Sequence, residues 1–161
     1  MSTDPTIDDS DRKVVNADGE SFMLDILDIR GHYYVDCGAM EALFARNAQG
    51  FFFVFDVTSR ESCNELQNQI LPEILSARGV TLSLSPVVLV GNKADLESER
   101  RVAPAEGKSF AEAHGWQYFD ASAKMKMNVE KSFVTLAQAI RKDIQPEQQQ
   151  AHHQKKRCCI M

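Results

Sequence analysis

Pro86-Val87-Val88-Leu89-Val90-Gly91-Asn92-Lys93-Ala94-Asp95 is an aliphatic run that closes in glycine and a polar cluster. Such a run, without alternation, reads as a parallel strand covered on both faces. Parallel α/β sheets bind ligands beyond the carboxyl ends of their strands, which places Asn92, Lys93 and Asp95 at a candidate site. A carboxylate there offers two adjacent acceptor oxygens, matching the paired N–H donors on the Watson–Crick edge of guanine. Adenine has no such pair, and a site built for hydrogen bonds rejects ligands lacking them by roughly 10⁴-fold or more. The Lys93 stem can lie along a base, and Asn92 can tie neighbouring loops together. Taken alone, Asn92-Lys93-Ala94-Asp95 can also be read as a polar turn.

A second stretch ends the same way. Trp116-Gln117-Tyr118-Phe119-Asp120-Ala121-Ser122-Ala123-Lys124 is a short strand followed by small residues and a lysine, about 30 residues on. Small side chains let a backbone N–H, that of Ala123, approach a base oxygen. The pair of strand ends, with a helix between them, resembles the guanine-specificity motifs of small GTPases, most closely the Ras family. The resemblance implies GTP/GDP as ligand, held by Asn92, Lys93, Asp95, Ser122, Ala123 and Lys124.

Composition agrees with one ordinary domain. The chain has 161 residues, 43% apolar and 25% charged, enough for a single core. A net charge of −5 gives no argument for nucleic acid as partner. No stretch of 18 apolar residues occurs and Met1 to Lys13 is polar, so neither a transmembrane span nor a signal peptide is read. Cys37, Cys63, Cys158 and Cys159 show neither zinc nor disulfide-framework spacing, so a reducing, intracellular setting is the default.

Working outward, Arg12 to Asn16 and Ser21 to Asp28 flank Ala17-Asp18-Gly19, an Asp-Gly hairpin signal. Phe22, Leu24 and Ile26 share one strand face, and Met23, Asp25 and Leu27 the other. Ala39 to Asn47 reads as a short helix. Phe51-Phe52-Phe53-Val54-Phe55-Asp56-Val57 is a second continuous core strand. Ser59 is placed to cap a helix from Arg60 to about Ala77, bent by Pro72, and Gly79 to Pro86 is a loop. Pro104 opens another helix, with Phe110, Ala111 and Ala113 expected inward and Gly115 closing it. After Asn128, Val129, Phe133, Leu136, Ala137 and Ile140 recur at helical spacing. Strands alternating with helices predict an α/β fold: a doubly wound, mostly parallel sheet.

The N-terminal segment Thr3-Asp4-Pro5-Thr6-Ile7-Asp8-Asp9-Ser10 reads from composition as a disordered polar terminus. It also resembles the Ras effector loop, switch I. That resemblance implies that Thr6 ligates Mg²⁺ and meets the γ-phosphate, and that effectors read Asp4, Ile7, Asp8 and Asp9. A loop held by a phosphate and released on its loss is an order–disorder switch. Asp28-Ile29-Arg30-Gly31 resembles the Asp-x-x-Gly of switch II, with Asp28 near Mg²⁺ through water and the Gly31 N–H facing the γ-phosphate. The chain then departs from the family, placing His32 where a glutamine usually orients the attacking water. His32 is either a substitute for that group or an exposed loop histidine, and hydrolysis is left open.

No G-x-x-x-x-G-K-[ST] occurs in the 161 residues. Gly107-Lys108-Ser109 has its ending but lies in an amphipathic helix pattern with no strand before it. The resemblance begins at switch I, without the family's first strand, phosphate loop and first helix. That implies an N-terminally truncated G domain or a divergent member that repacks, and truncation is the favoured reading. In the family topology the absent strand lies between Ser21–Asp28 and the Phe51 strand. A covered strand contributes about four or five apolar side chains at roughly 1.5–3 kcal/mol each, so two exposed edges facing a gap are expected.

From Gln145 the chain turns polar and Pro/Gln-rich, dividing residues 1–144, the incomplete G domain, from a tail of residues 145–161. The tail ends Lys155-Lys156-Arg157-Cys158-Cys159-Ile160-Met161, in which Cys158 opens a Cys-a-a-X farnesylation signal. One lipid and a polybasic segment form a two-signal anchor for the cytoplasmic face of the plasma membrane or an endomembrane. The implied function is a membrane-anchored GTP/GDP signalling switch, with effectors, an exchange factor and a GTPase-activating protein as partners. The alternative is a pseudo-GTPase or truncated product that offers an effector loop without turnover.

Overall fold

The structure is a computed structural model and describes residues 9–17, 19–28, 46–78, 85–143 and 156–160. Asp9–Ala17 (β1) and Glu20–Asp28 (β2) form an antiparallel hairpin. Ala17 pairs with Glu20, and Gly19 takes φ +79°, the left-handed conformation that an Asp-Gly turn needs. Gly50–Asp56 (β3), Val87–Asn92 (β4) and Gln117–Asp120 (β5) run parallel to one another. Lys156–Ile160 (β6) completes six strands in the order β1-β2-β6-β3-β4-β5. The expected α/β architecture, doubly wound around a mostly parallel sheet, is what the chain adopts.

Alternation along β3 divides the core between two faces. Phe51, Phe53 and Phe55 join Cys63, Leu66, Ile70 and Ile74 on one side. Phe52 faces the other, with Val88, Val90, Leu136 and Ile140, and stacks on Phe133 at 4.7 Å between ring centres. β3 is covered by helices on both faces, and this explains why its sequence does not alternate in polarity.

Those helices begin and bend where the local chemistry dictates. Ser59 caps Arg60–Glu65 (α1), its Oγ accepting the Ser62 N–H at 3.1 Å. The helix widens through a π turn at Leu66–Ile70 before continuing as Leu71–Arg78 (α2). The irregularity therefore lies just ahead of Pro72, which lacks the N–H of a regular helix. Pro104 occupies the first turn of Pro104–Ala113 (α3), and Gly115 follows it at φ +72°. Ala111 is buried and Phe110 half-buried, but Ala113 is exposed, contrary to expectation. The inward position on that face belongs to Gly107, where an added Cβ would lie 2.6 Å from the Tyr118 ring. Gly107-Lys108-Ser109 is thus helix, packed closely on β5.

Val129–Asp143 (α4) covers the opposite face. Its approach to β3 is tight: a Cβ on Gly50 would lie 2.8 Å from Ile140 Cδ1. Phe22 and Leu24 of β2 pack with Ala137, backed by Ile26, Phe133 and Val134, while Met23 on the other face is 50% exposed. Arg141 ties the helix end to the hairpin, donating to Glu20 Oε1 at 2.9 Å and lying over the Phe22 ring.

The largest departure from expectation is β6. Lys156–Ile160, expected in a tail outside the domain, lies between β2 and β3 and pairs in parallel with both. The two edges predicted to face a gap are therefore paired over those registers. The physical reason is that unpaired strand edges are templates for any extended segment within reach. Of the helix expected at Ala39 to Asn47, only Arg46 and Asn47 are described, and both are helical.

Candidate functional site

The carboxyl ends of β3, β4 and β5 meet at one edge, held together by backbone hydrogen bonds. Val57 N–H donates to Asn92 O at 3.0 Å, Ala121 N–H to Gly91 O at 2.8 Å and Ala94 N–H to Ala121 O at 2.9 Å. Asn92 adds a side-chain tie, its Oδ1 accepting the Ala123 N–H at 3.1 Å. The expected role of Asn92 in joining loops is thus realised. The Ala123 N–H, expected to approach a base oxygen, is instead used in that tie.

Lys93 stands at φ +65°, an uncommon conformation for a residue with a side chain. It follows directly on β4, where the chain turns sharply away, and Leu96 N–H closes the turn on Lys93 O at 3.0 Å. The Lys93 ammonium lies 2.6 Å from Asp56 Oδ2. Asp56 Oδ1 also accepts the Thr58 N–H at 2.8 Å and the Thr58 hydroxyl at 2.7 Å. Burial alone would push the Asp56 carboxyl up; the Lys93 and Thr58 hydrogen bonds outweigh it and hold the group below its ordinary value. The same pair raises the Lys93 ammonium. Asp95 is exposed at the tip of this turn, two residues beyond Lys93.

On the β5 side, Ser122 is fully buried and its Oγ accepts the Met125 N–H at 3.0 Å. Backbone bonds between Ser122 and Met127 close the loop in both directions. Asn128, at φ +57°, donates from Nδ2 to Asp120 O at 2.7 Å. Ala123 and Lys124 are left exposed on the rim. Small residues are needed here because the loop folds tightly over the end of β5.

Beneath the rim lies a network that the sequence did not disclose. Arg100 donates to both Asp120 carboxylate oxygens, at 3.4 and 3.2 Å, and to Glu97 at 2.7 Å. Tyr118 Oη donates to Asp120 Oδ1 at 2.5 Å, and burial followed by this hydrogen bond raises its phenol well above the ordinary range. Gly91 admits the network: a Cβ there would lie 2.6 Å from Tyr118 Oη. Asp56 and Arg100 are the polar residues that sequence reasoning missed. The available signals were the single carboxylate ending the Phe51–Phe55 run and the tyrosine–aspartate spacing at a strand end.

The remaining candidates are divided by position. Asp9 begins β1, and Asp28 ends β2 with its side chain exposed. Asp4, Thr6, Ile7, Asp8, Gly31 and His32 lie outside the described residues. Among the described residues no group of three or more His, Cys, Asp or Glu stands close enough to hold a metal ion. Cys158 lies in β6, with Ile26 and Gly50 as its register partners. No helix among the described residues is long and apolar enough to cross a membrane.

The Ras family matches residues 1–142. The chain belongs to the Ras family. It is 43% identical over 139 residues to the human Ras-related protein R-Ras, covering 86% of this chain and 62% of that protein. The mouse Ras-related protein R-Ras is 42% identical over the same shares. Ras-like protein rasC of Dictyostelium discoideum is 40% identical over 163 residues, covering 98% of this chain and 82% of that protein. The chain thus spans under two thirds of the length of its R-Ras relatives.

Proposed function

We propose that this chain acts as a Ras-type guanine-nucleotide switch, with Asp95 choosing the base. The observation that carries the reading is the joined edge of β4 and β5, where Asn92 binds Ala123 and leaves Asp95 exposed beside it. Lys93, Asp95, Ala123 and Lys124 are all exposed at that edge, which leaves them available to a base. Thr6 and Asp28, the latter through water, are the proposed Mg²⁺ contacts, and the Gly31 N–H is the proposed donor to the terminal phosphate. In sequence His32 takes the place of the usual glutamine, either as a substitute for it or as an exposed loop histidine, and hydrolysis is left open. Asp4, Ile7, Asp8 and Asp9 are the proposed effector contacts, released or presented as the phosphate comes and goes. An exchange factor and a GTPase-activating protein would set the rates of that cycle.

The proposed address is the cytoplasmic face of a membrane, through a prenyl group on Cys158 supported by Lys155, Lys156 and Arg157. A single lipid gives only marginal attachment, so the basic residues form the second signal.

Base choice is the direct test. Asp95→Asn replaces one acceptor by a donor, which opposes the guanine N–H pair and suits the additional carbonyl of xanthine. Competition between GDP and xanthosine diphosphate on the two proteins should show preference moving from guanine to xanthine by about 10³-fold or more. Guanine preference unchanged in Asp95→Asn would remove Asp95 from the site.

A further inference from the structure

Two segments must agree in position for a base to be read at the β4–β5 edge: the arch after β4 that carries Asp95 and the loop after β5 that carries Ala123. The side-chain tie from Asn92 to Ala123 and the backbone tie from Ala94 to Ala121 reach only the near end of the arch. From Lys93 the arch runs through successive turns, Leu96 N–H to Lys93 O, Glu99 N–H to Leu96 O and Arg100 N–H to Glu97 O. Its far end is Arg100. We propose that Arg100 and Asp120 form a positioning pair for base recognition, fixing the Asp95 arch against the β5 loop so that the Asp95 carboxylate meets both N–H donors of guanine. The inference rests on the base reading above.

Three observations carry it. The first is reach. Arg100 donates back into the arch, to Glu97 Oε2 at 2.7 Å, forward to Val102 O at 3.3 Å, and across to both Asp120 oxygens at 3.4 and 3.2 Å. The next two N–H groups, of Arg101 and Val102, both donate to Val57 O, at 2.8 and 3.0 Å. The arch therefore ends on a fixed footing. The second is that Asp120 serves both segments. Its carboxylate holds Arg100 and accepts the Tyr118 hydroxyl at 2.5 Å, while its carbonyl oxygen accepts Asn128 Nδ2 at 2.7 Å, where the β5 loop ends.

The third observation concerns cost. The Arg100 side chain is 9% exposed and that of Asp120 25%. Covered charges lose hydration, and apolar residues of like volume often serve stability as well or better. What a guanidinium on a carboxylate adds is a defined geometry, because the planar fork matches both oxygens in one orientation. Gly91 keeps the space for it: a Cβ there would lie 2.6 Å from Tyr118 Oη and 3.1 Å from Asp120 Oδ1.

Guanine and hypoxanthine separate this role from plain support of the fold. Both offer the ring N–H, but only guanine adds the exocyclic amino group. The second Asp95 oxygen thus has a partner in GDP and none in inosine diphosphate. Sugar and diphosphate are the same in the two ligands, so their contacts cancel in the ratio of affinities. A carboxylate held in place sustains that ratio, and one displaced by about 1 Å loses it.

The test is competition between GDP and inosine diphosphate on the full chain. Wild type is compared with Asp120→Asn, Arg100→Lys, the two combined, and Asp95→Asn, with urea midpoints taken alongside. Asp120→Asn is isosteric and keeps an acceptor for Tyr118, whereas Arg100→Lys keeps the charge and loses the fork. Wild type should favour GDP, and Asp95→Asn should abolish the preference. Each single network variant should lower the ratio by at least about fivefold, and the combined variant little further, since both changes break one interaction. A ratio unchanged in both single variants, but lost in Asp95→Asn, would overturn the positioning role and leave the base reading standing. Equal weakening of both ligands in step with the urea midpoints would overturn it too, because support of the fold alone gives that result. A wild type that binds neither ligand or both alike, or a preference kept in Asp95→Asn, would remove the base reading and the positioning role together.

Discussion

The β4–β5 edge and the β2–β3 position are closed by different means. At the first, every tie is local to neighbouring strand ends: Asn92 to Ala123, Ala94 to Ala121, Lys93 to Asp56. Its turns are fixed by residues that cannot easily sit otherwise, among them Gly91 against Tyr118 and the buried Ser122. At the second, closure comes from backbone pairing with a segment separated from α4 by residues 144–155. The proposed base site, presenting one carboxylate to one base edge, needs rigid, redundant support. A strand drawn from far along the chain costs more loop-closure entropy than a tie between neighbouring strand ends. The two sides of β3 thus differ in how far along the chain their closing partners lie.

The severest test of that division is Phe52→Ala, because β3 serves both sides. Phe52 is buried with Leu136 and Ile140, stacks on Phe133 and is the register partner of Ile160. Truncating it should cost about 3–5 kcal/mol, read as a shift in urea midpoint at unchanged slope. Both the β6 pairs and the β4–β5 edge should become more labile together. Loss of protection confined to β6 would show that β3 is not the shared support.

Much of this was readable from residue order. The Phe51–Phe55 run and Val87–Val90 announced strands covered on both faces, since neither alternates in polarity, and the cores on either side of β3 show why. Asn92 as a loop tie, Ser59 as a cap and Asp18-Gly19 as a hairpin turn were likewise local matters, settled by side-chain chemistry within a few residues. What escaped was non-local. Nothing in Lys156-Arg157-Cys158-Cys159-Ile160 distinguishes a tail from a strand; only the open position between β2 and β3 does. Arg100 carries no strand or cap signal, and its meeting with Asp120 and Tyr118 depends on where the chain returns after β4. Ala113 was misplaced because a three-residue helical repeat was followed one step too far, past the turn where Gly107 makes the close contact.

A milder change separates the two sides. Asn92→Ala removes the acceptor for the Ala123 N–H but leaves the backbone ladder intact, and should cost about 0.5–1.5 kcal/mol. The Ala123 amide should exchange faster and the β5 loop loosen, with Leu24–Asp28 and Gly50–Phe52 unaltered. Guanine affinity should fall as the carboxylate of Asp95 loses its fixed relation to the β5 loop. Equal loosening of the β2 and β3 amides would show that the two sides are not independent.

The smallest effect concerns the Asp56–Lys93 pair, and here pH supplies the sign. The Asp56 carboxyl is held below its model value of 3.8 in the folded protein, so folding favours its charged form. Its contribution is fully present above about pH 4 and disappears as pH falls below 3.8 through the lowered folded value. Lys93 is raised above 10.5, so its share is present below that value and is lost only in strong alkali. Because the Lys93 side chain is 53% exposed, solvent and salt screen the pair, and its net contribution is small. Asp56→Asn keeps an acceptor for Thr58 and removes the titrating charge. Its stability should fall less steeply than wild type between pH 4 and acid, converging with it where the wild-type carboxyl is protonated. Identical acid slopes would mean that Asp56 is not held by Lys93 in solution. The φ +65° turn at Lys93 would then rest on backbone bonds, Leu96 N–H to Lys93 O and Ala94 N–H to Ala121 O among them.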